Sequence, residues 1–169
     1  MTRHKVLFVC TGNICRSPTA EGVARSLAQM MGVEQLFEFD SAGTHGYHIG
    51  EPPDSRTVAA ALRRGYDLAP LRARRVTEFD FIRFDHLLAM DRDHLDLLQR
   101  ACPQPHQKKL GLFLDFSERF DEDEVPDPYY GGTQGFEHVL DLVEDAATQL
   151  ILKLSANRRD TVPGVSPET

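Results

Sequence analysis

Cys10 and Arg16 stand at the two ends of the run Cys10-Thr11-Gly12-Asn13-Ile14-Cys15-Arg16, which continues into Ser17-Pro18. A thiolate is a nucleophile. A guanidinium is a planar fork that grips two oxygens of a phosphate at once. Gly12 and Asn13 tolerate left-handed backbone angles. A loop bent there turns successive N–H groups inward as an anion-binding nest. Ser17 suits an N-cap and Pro18 a first helical position, so the loop is expected to end on a helix N-terminus, which also favours an anion. The same donors favour the thiolate form of Cys10 near neutral pH. Ser17 could also donate its hydroxyl to that sulfur. The loop from Thr11 to Ser17 is therefore expected to hold a phosphate or similar oxyanion against Cys10.

A thiolate that attacks a phosphate ester must expel an alkoxide or phenolate, and a positioned acid typically speeds such a step by ~10²–10⁴-fold. Asp127, in Val125-Pro126-Asp127-Pro128-Tyr129, is the candidate. Its two proline neighbours stiffen the loop and lower the cost of positioning the carboxyl. Read from residue types alone, the same tripeptide is also an ordinary turn. The carboxylates from Asp121 to Glu124 are close enough in sequence to help keep Asp127 protonated. Tyr129, and Tyr47 in a glycine-rich stretch, are candidate walls for an aromatic ring.

These groups need elements to carry them. His4 to Val9 ends in a continuous apolar run and reads as a buried parallel strand. A helix follows from Ser17, with Glu21 in its first turn and Ala20, Val23, Ala24, Leu27 and Met31 at helical spacing; Gly32 breaks it. Leu36 to Ala42 reads as a second strand, residues 43–53 as a loop, and Asp54 to Arg64 as a helix with Val58, Ala59 and Leu62 on one side. Thr77 to Phe81 reads as a short helical turn, His86 to Met90 as a third strand, Asp91 to Arg100 as a helix, and Lys109 to Phe113 as a fourth strand. Gly135 to Leu154 reads as a long helix burying Phe136, Val139, Leu140, Val143, Ala147, Leu150, Ile151 and Leu154. Alternating strands and helices imply an α/β fold with a parallel sheet covered on both faces. Its ligand belongs beyond the C-terminal strand ends, where Cys10 stands.

At 169 residues and 41% hydrophobic, the chain is long enough for one core. The expected division is one domain over 1–156 and a flexible tail over 157–169. A net charge of −7 argues against nucleic acid. No apolar run is long enough to cross a bilayer and no signal-like segment is present, so a cytoplasmic location away from membranes is expected. Three cysteines make a poor disulfide framework. Cys15 either packs or forms a reversible bridge with Cys10. The basic residues Arg63, Arg64, Arg72, Arg74 and Arg75 and the acidic run 121–124 read as solvated faces. The histidines, His45 and His48 included, show no metal-ligand spacing.

The segment from Val6 to Glu21 resembles the signature of the low-molecular-weight protein tyrosine phosphatases. Asp40-Ser41-Ala42-Gly43-Thr44, Met90-Asp91 and Val125 to Tyr129 continue the likeness in the same order, across residues 4–155. The resemblance implies a three-layer sandwich around a four-stranded parallel sheet in order 2-1-3-4. It implies Cys10, Arg16 and Asp127 as the catalytic set, with Thr11, Gly12, Asn13, Ile14, Cys15, Ser17, Tyr47 and Tyr129 around the substrate. Asn13 and Ser41 would brace the loop through a hydrogen bond, and Asp91 would support the site. The Arg72-Ala73-Arg74 segment would help fix the fold nearby. His94 stands where many relatives carry Asn, and Tyr47 where they often carry Trp. Tyr129 and Tyr130 resemble tyrosines that are phosphorylated in some relatives. The implied partners are phosphotyrosine-containing proteins, with no metal or other cofactor, on a monomer or weak dimer.

Three other readings compete. An arsenate reductase of the same fold needs further resolving cysteines, and only Cys102 remains. A phosphoarginine phosphatase resembles this loop but carries Thr where Ile14 stands. A phosphate-binding or thiol-sensing module without turnover would have no use for Cys10, Arg16, Ser17 and Asp127 together.

Overall fold

Val6, Leu7, Phe8 and Val9 have no solvent exposure at all in the computed structural model, which describes residues 3–158. Successive strand residues point to opposite faces. Val6 and Phe8 enter one apolar core, while Leu7 and Val9 enter a second on the other side of the sheet. That double burial is why the run lacks polar alternation.

The strand containing them is β1 (His4–Cys10). It pairs in parallel with β2 (Phe37–Gly43) on one side and β3 (His86–Ala89) on the other; β3 pairs with β4 (Leu110–Leu112). The order is β2-β1-β3-β4, as the resemblance implied. One core holds α1 (Arg16–Met30), part of α2 (Ser55–Arg63) and α5 (Thr133–Arg158). The other holds Phe81 of α3 (Glu78–Arg83) and Leu98 of α4 (Arg92–Ala101). The fold is thus the expected α/β sandwich. No described helix is long and apolar enough to cross a membrane.

Several local expectations shift. Helix α1 begins at Arg16, so Ser17 is not its N-cap. Its hydroxyl is turned to the Cys10 sulfur instead. Glu21 lies beyond the first turn, buried, where it accepts a hydrogen bond from Ser41 Oγ at 2.6 Å and pairs with Arg25. Burial raises its pKa above the usual carboxylate value. Helix α2 buries Thr57, Ala60 and Ala61, whereas Leu62 is 59% exposed. Arg64, just past α2, pairs with Glu137, Asp141 and Glu144 of α5. Small residues on the buried face of α2 suit a close approach of this kind. All eight apolar positions expected on the buried side of α5 are buried. This helix runs on to Arg158, so the backbone of 157 and 158 is helical; the rest of the expected tail, 159–169, lies outside the described residues.

Candidate active site

Cys10 is the last residue of β1, and Arg16 the first of α1. The loop between them closes in a small radius because Asn13 adopts φ 60°. Gly12, expected to share that conformation, does not. It leaves room for the His48 ring, which stands 2.8 Å from where a Cβ would be. Gly43, paired with Cys10 across the sheet, is more constrained still. A Cβ on it would meet the Thr11 carbonyl oxygen at 2.7 Å and that of His45 at 3.0 Å.

The loop is held from behind. Asn13 Nδ2 donates to Ser17 Oγ at 2.8 Å and to Ser41 Oγ at 2.9 Å. Its Oδ1 accepts from the Arg74 backbone N–H at 3.0 Å. The bond between Asn13 and Ser41 implied by the resemblance is present, and the Arg72–Arg74 segment does reach the loop. Arg74 is no solvated charge, since its guanidinium pairs with Asp40 and Asp80. Asn13, Ser17 and Ser41 are buried behind the loop rather than on the cleft.

The cleft in front, about 200 Å³, is lined by Cys10, Thr11, Gly12, Ile14, Cys15 and Arg16, with Tyr47, His48, Asp127, Tyr129 and Tyr130 around its mouth. Ser17 Oγ lies 3.0 Å from Cys10 Sγ. Arg16 Nη1 donates to Asp91 Oδ2 at 2.9 Å and to the Val125 carbonyl at 3.1 Å. Its Nη2 is 3.7 Å from Asp127 Oδ2. The second bond is a link that residue types could not reveal, because a backbone carbonyl leaves no trace in sequence. Val125 N–H in turn donates to the Met90 carbonyl at the end of β3. The acid loop is therefore tied to the sheet one step before Pro126.

Asp127 Oδ1 accepts from the Tyr129 N–H at 3.0 Å, and its side chain is 42% exposed. The neighbouring carboxylates have partners of their own. Glu122 bonds His138, Asp123 pairs with Arg92, and Glu124 accepts the Arg92 N–H. Three members of the acidic run thus act as fasteners for the acid loop. Tyr129 is backed by the Arg56 guanidinium, 5.1 Å from its ring centroid, which also lies over Phe136. Tyr47 stacks on His45 with centroids 5.0 Å apart.

Cys15 is buried, and burial pushes its thiol up to about 12, with Asp54, Cys10 and Asp127 adding to the effect. It is a packed thiol beside the nucleophile candidate. Cys102 closes α4 and sits in the core on the opposite face of the sheet from Cys10 and Cys15. Among the described residues, no group of three or more His, Cys, Asp or Glu side chains is placed to share a metal ion. His94, noted in the sequence only as a departure from the family pattern, is buried with its Nε2 2.7 Å from Thr11 Oγ1.

This geometry has close relatives. The model of the low molecular weight phosphotyrosine protein phosphatases matches residues 5–160. A low molecular weight protein-tyrosine-phosphatase of Streptomyces coelicolor is 44% identical over 151 residues, covering 88% of this chain and 92% of its own. YfkJ of Bacillus subtilis is 39% identical, over 91% and 97% of the two chains. The crystal structure of a protein tyrosine phosphatase from Entamoeba histolytica, with Hepes in its active site, superposes with a TM-score of 0.88 at 43% identity, over 91% of this chain and 98% of that one. With a complete phosphate loop, a facing carboxyl and this likeness along nearly its whole length, the chain belongs to the low-molecular-weight phosphotyrosine protein phosphatases.

Proposed function

We propose that this enzyme hydrolyses phosphotyrosine in proteins, and small aryl phosphates, through a phosphocysteine on Cys10. The observation that carries the reading is the convergence of Cys10, Arg16 and Asp127 on one cleft, with Ser17 Oγ 3.0 Å from the sulfur. The Cys10 thiolate attacks phosphorus in line; an S–P bond forms as the P–O bond to the phenol breaks. Loop N–H groups and Arg16 meet the charge on the equatorial oxygens. Asp127 gives its proton to the leaving phenolate, then takes one from the water that attacks the phosphocysteine. The S–P bond breaks, phosphate leaves, and Ser17 steadies the returning thiolate. Every charge in the cycle is met by a group of the protein, so no metal or cofactor takes part.

Thr11, Gly12, Asn13, Ile14, Cys15 and Ser17 form or brace the oxyanion cradle in this reading, Tyr47 and Tyr129 flank the ring, and Ser41 and Asp91 act through Asn13 and Arg16. The catalytic unit is read as lying within 1–156, on a monomer or weak dimer. A nucleophilic thiol fits a reducing compartment, hence the cytoplasm. Arsenate reduction is disfavoured because Cys102 lies across the sheet from Cys10. Turnover of para-nitrophenyl phosphate should survive EDTA, and acid quench during turnover should trap a phosphorylated protein. Both should vanish in Cys10→Ser; activity retained in that variant would remove the thiol from the mechanism.

A further inference from the structure

We propose that His94 is a positioning residue for the phosphate grip: its Nε2 accepts the Thr11 hydroxyl and gives Arg16 Nη2 an uncharged resting contact that an incoming phosphoryl group displaces. The proposal deepens the phosphatase reading and rests on it.

Asp91 caps α4 and joins the two residues. Its Oδ1 accepts the His94 backbone N–H at 2.9 Å, while its Oδ2 accepts Arg16 Nη1 at 2.9 Å. The His94 ring, 3% exposed, is thereby brought to the back of the phosphate loop. Nε2 lies 2.7 Å from Thr11 Oγ1 and 3.5 Å from Arg16 Nη2. Nδ1 lies 3.0 Å from Asp91 Oδ1, at an angle too poor for a hydrogen bond.

The neighbours choose the tautomer. A guanidinium only donates, so the nitrogen facing it must carry a lone pair; a carboxylate only accepts, so the nitrogen facing it carries the proton. Nδ1 is therefore protonated and Nε2 is the acceptor. The Thr11 hydroxyl spends its proton on Nε2 and turns lone pairs towards Arg16 Nη2, 3.4 Å away.

The two ends of the Arg16 fork are held unequally. Nη1 has two bonds, at 2.9 and 3.1 Å, whereas the contacts of Nη2 with Thr11, His94 and Asp127 are 3.4, 3.5 and 3.7 Å. One end is anchored and the other rests on weak acceptors, two of them neutral. A doubly charged phosphoryl group outcompetes a neutral imidazole for that donor. A carboxylate in the place of His94 would compete far better, because it would set a full negative charge against the guanidinium. Burial and the Arg16 charge push the His94 pKa down to about 4, so the ring stays neutral where the enzyme works.

The test uses inorganic phosphate as a competitive inhibitor of para-nitrophenyl phosphate turnover. His94→Leu, without an acceptor, should weaken phosphate inhibition and lower kcat/KM by about tenfold, the equivalent of one hydrogen bond. His94→Gln, whose side-chain oxygen can accept from Thr11, should recover most of the loss. Nitrogen NMR of the wild-type ring should show the Nδ1–H tautomer, with an Nε2 resonance that moves when phosphate is added. That spectrum decides the matter even if His94→Leu fails to fold. Phosphate inhibition in His94→Leu within twofold of wild type, an Nε2–H tautomer, or an Nε2 signal indifferent to phosphate would each overturn the proposal. An inactive wild-type enzyme would instead overturn the phosphatase reading.

Discussion

Lowering the pH should unfold this protein partly through His94, and the size of the effect follows from its surroundings. An unfolded histidine takes up a proton near its ordinary value of 6.5, but the folded ring resists until about 4. Burial is the main cause. The charge of Arg16 adds to it, His45 pushes the same way, and Asp91 and Asp127 pull the other way without prevailing. Between the two values the unfolded chain binds the extra proton, so stability falls as pH falls. It is fully present only above the unfolded value. At a limit of ~1.4 kcal/mol per pH unit, going from about pH 7 to about pH 4.5 should cost about 2 kcal/mol. Urea unfolding of wild type and His94→Asn across that range measures it. Glu21 has a raised pKa, so its contribution is present at low pH and lost as pH rises; it is shared by both proteins and cancels in their difference. The His94→Asn curve should be flatter by about 2 kcal/mol over the same range. Parallel curves would refute the reasoning, for the ring would then be as easily protonated folded as unfolded.

Asp127→Asn should lose ~10²-fold or more in kcat on phenyl phosphate and far less on para-nitrophenyl phosphate, whose leaving group needs no proton; equal losses would remove Asp127 from the acid role. Gly43→Ala drives a Cβ into two backbone carbonyls of the site, and should cost about 1–3 kcal/mol in thermal unfolding together with most of the activity. Iodoacetamide at neutral pH should label Cys10 and spare Cys15, which burial keeps as a thiol. Peptide mass mapping reads the ratio, and prompt labelling of Cys15 would contradict the packing described for it.

The readable parts of the fold were those where one stretch of chain meets one environment. Val6 to Val9 is apolar without alternation because the sheet is covered on both faces, and α5 shows its buried stripe because it lies on the core for most of its length. Helix α2 misleads because its face is chosen by α5: the small Thr57, Ala60 and Ala61 go inward and the larger Leu62 outward. The site divides in the same manner. Cys10, Arg16 and Ser17 are neighbours in sequence, so their spacing carries the signal. The Ser17 side chain suits both a cap and a hydroxyl near the thiol, and the fold puts it to the second use. His94, Arg56 and the Val125 carbonyl reach the site through tertiary packing. Their roles depend on distances that no local pattern encodes.

Asn13 binds three partners with one amide: Ser17 on α1, Ser41 on β2 and the Arg74 N–H from a segment sixty residues further on. A short synthetic peptide copying the loop would have nothing to curl around, and should show no affinity for phosphate. The pocket can exist only after distant stretches of the polypeptide have docked. Binding competence should therefore emerge late during refolding, well after the first strand and helix have come together.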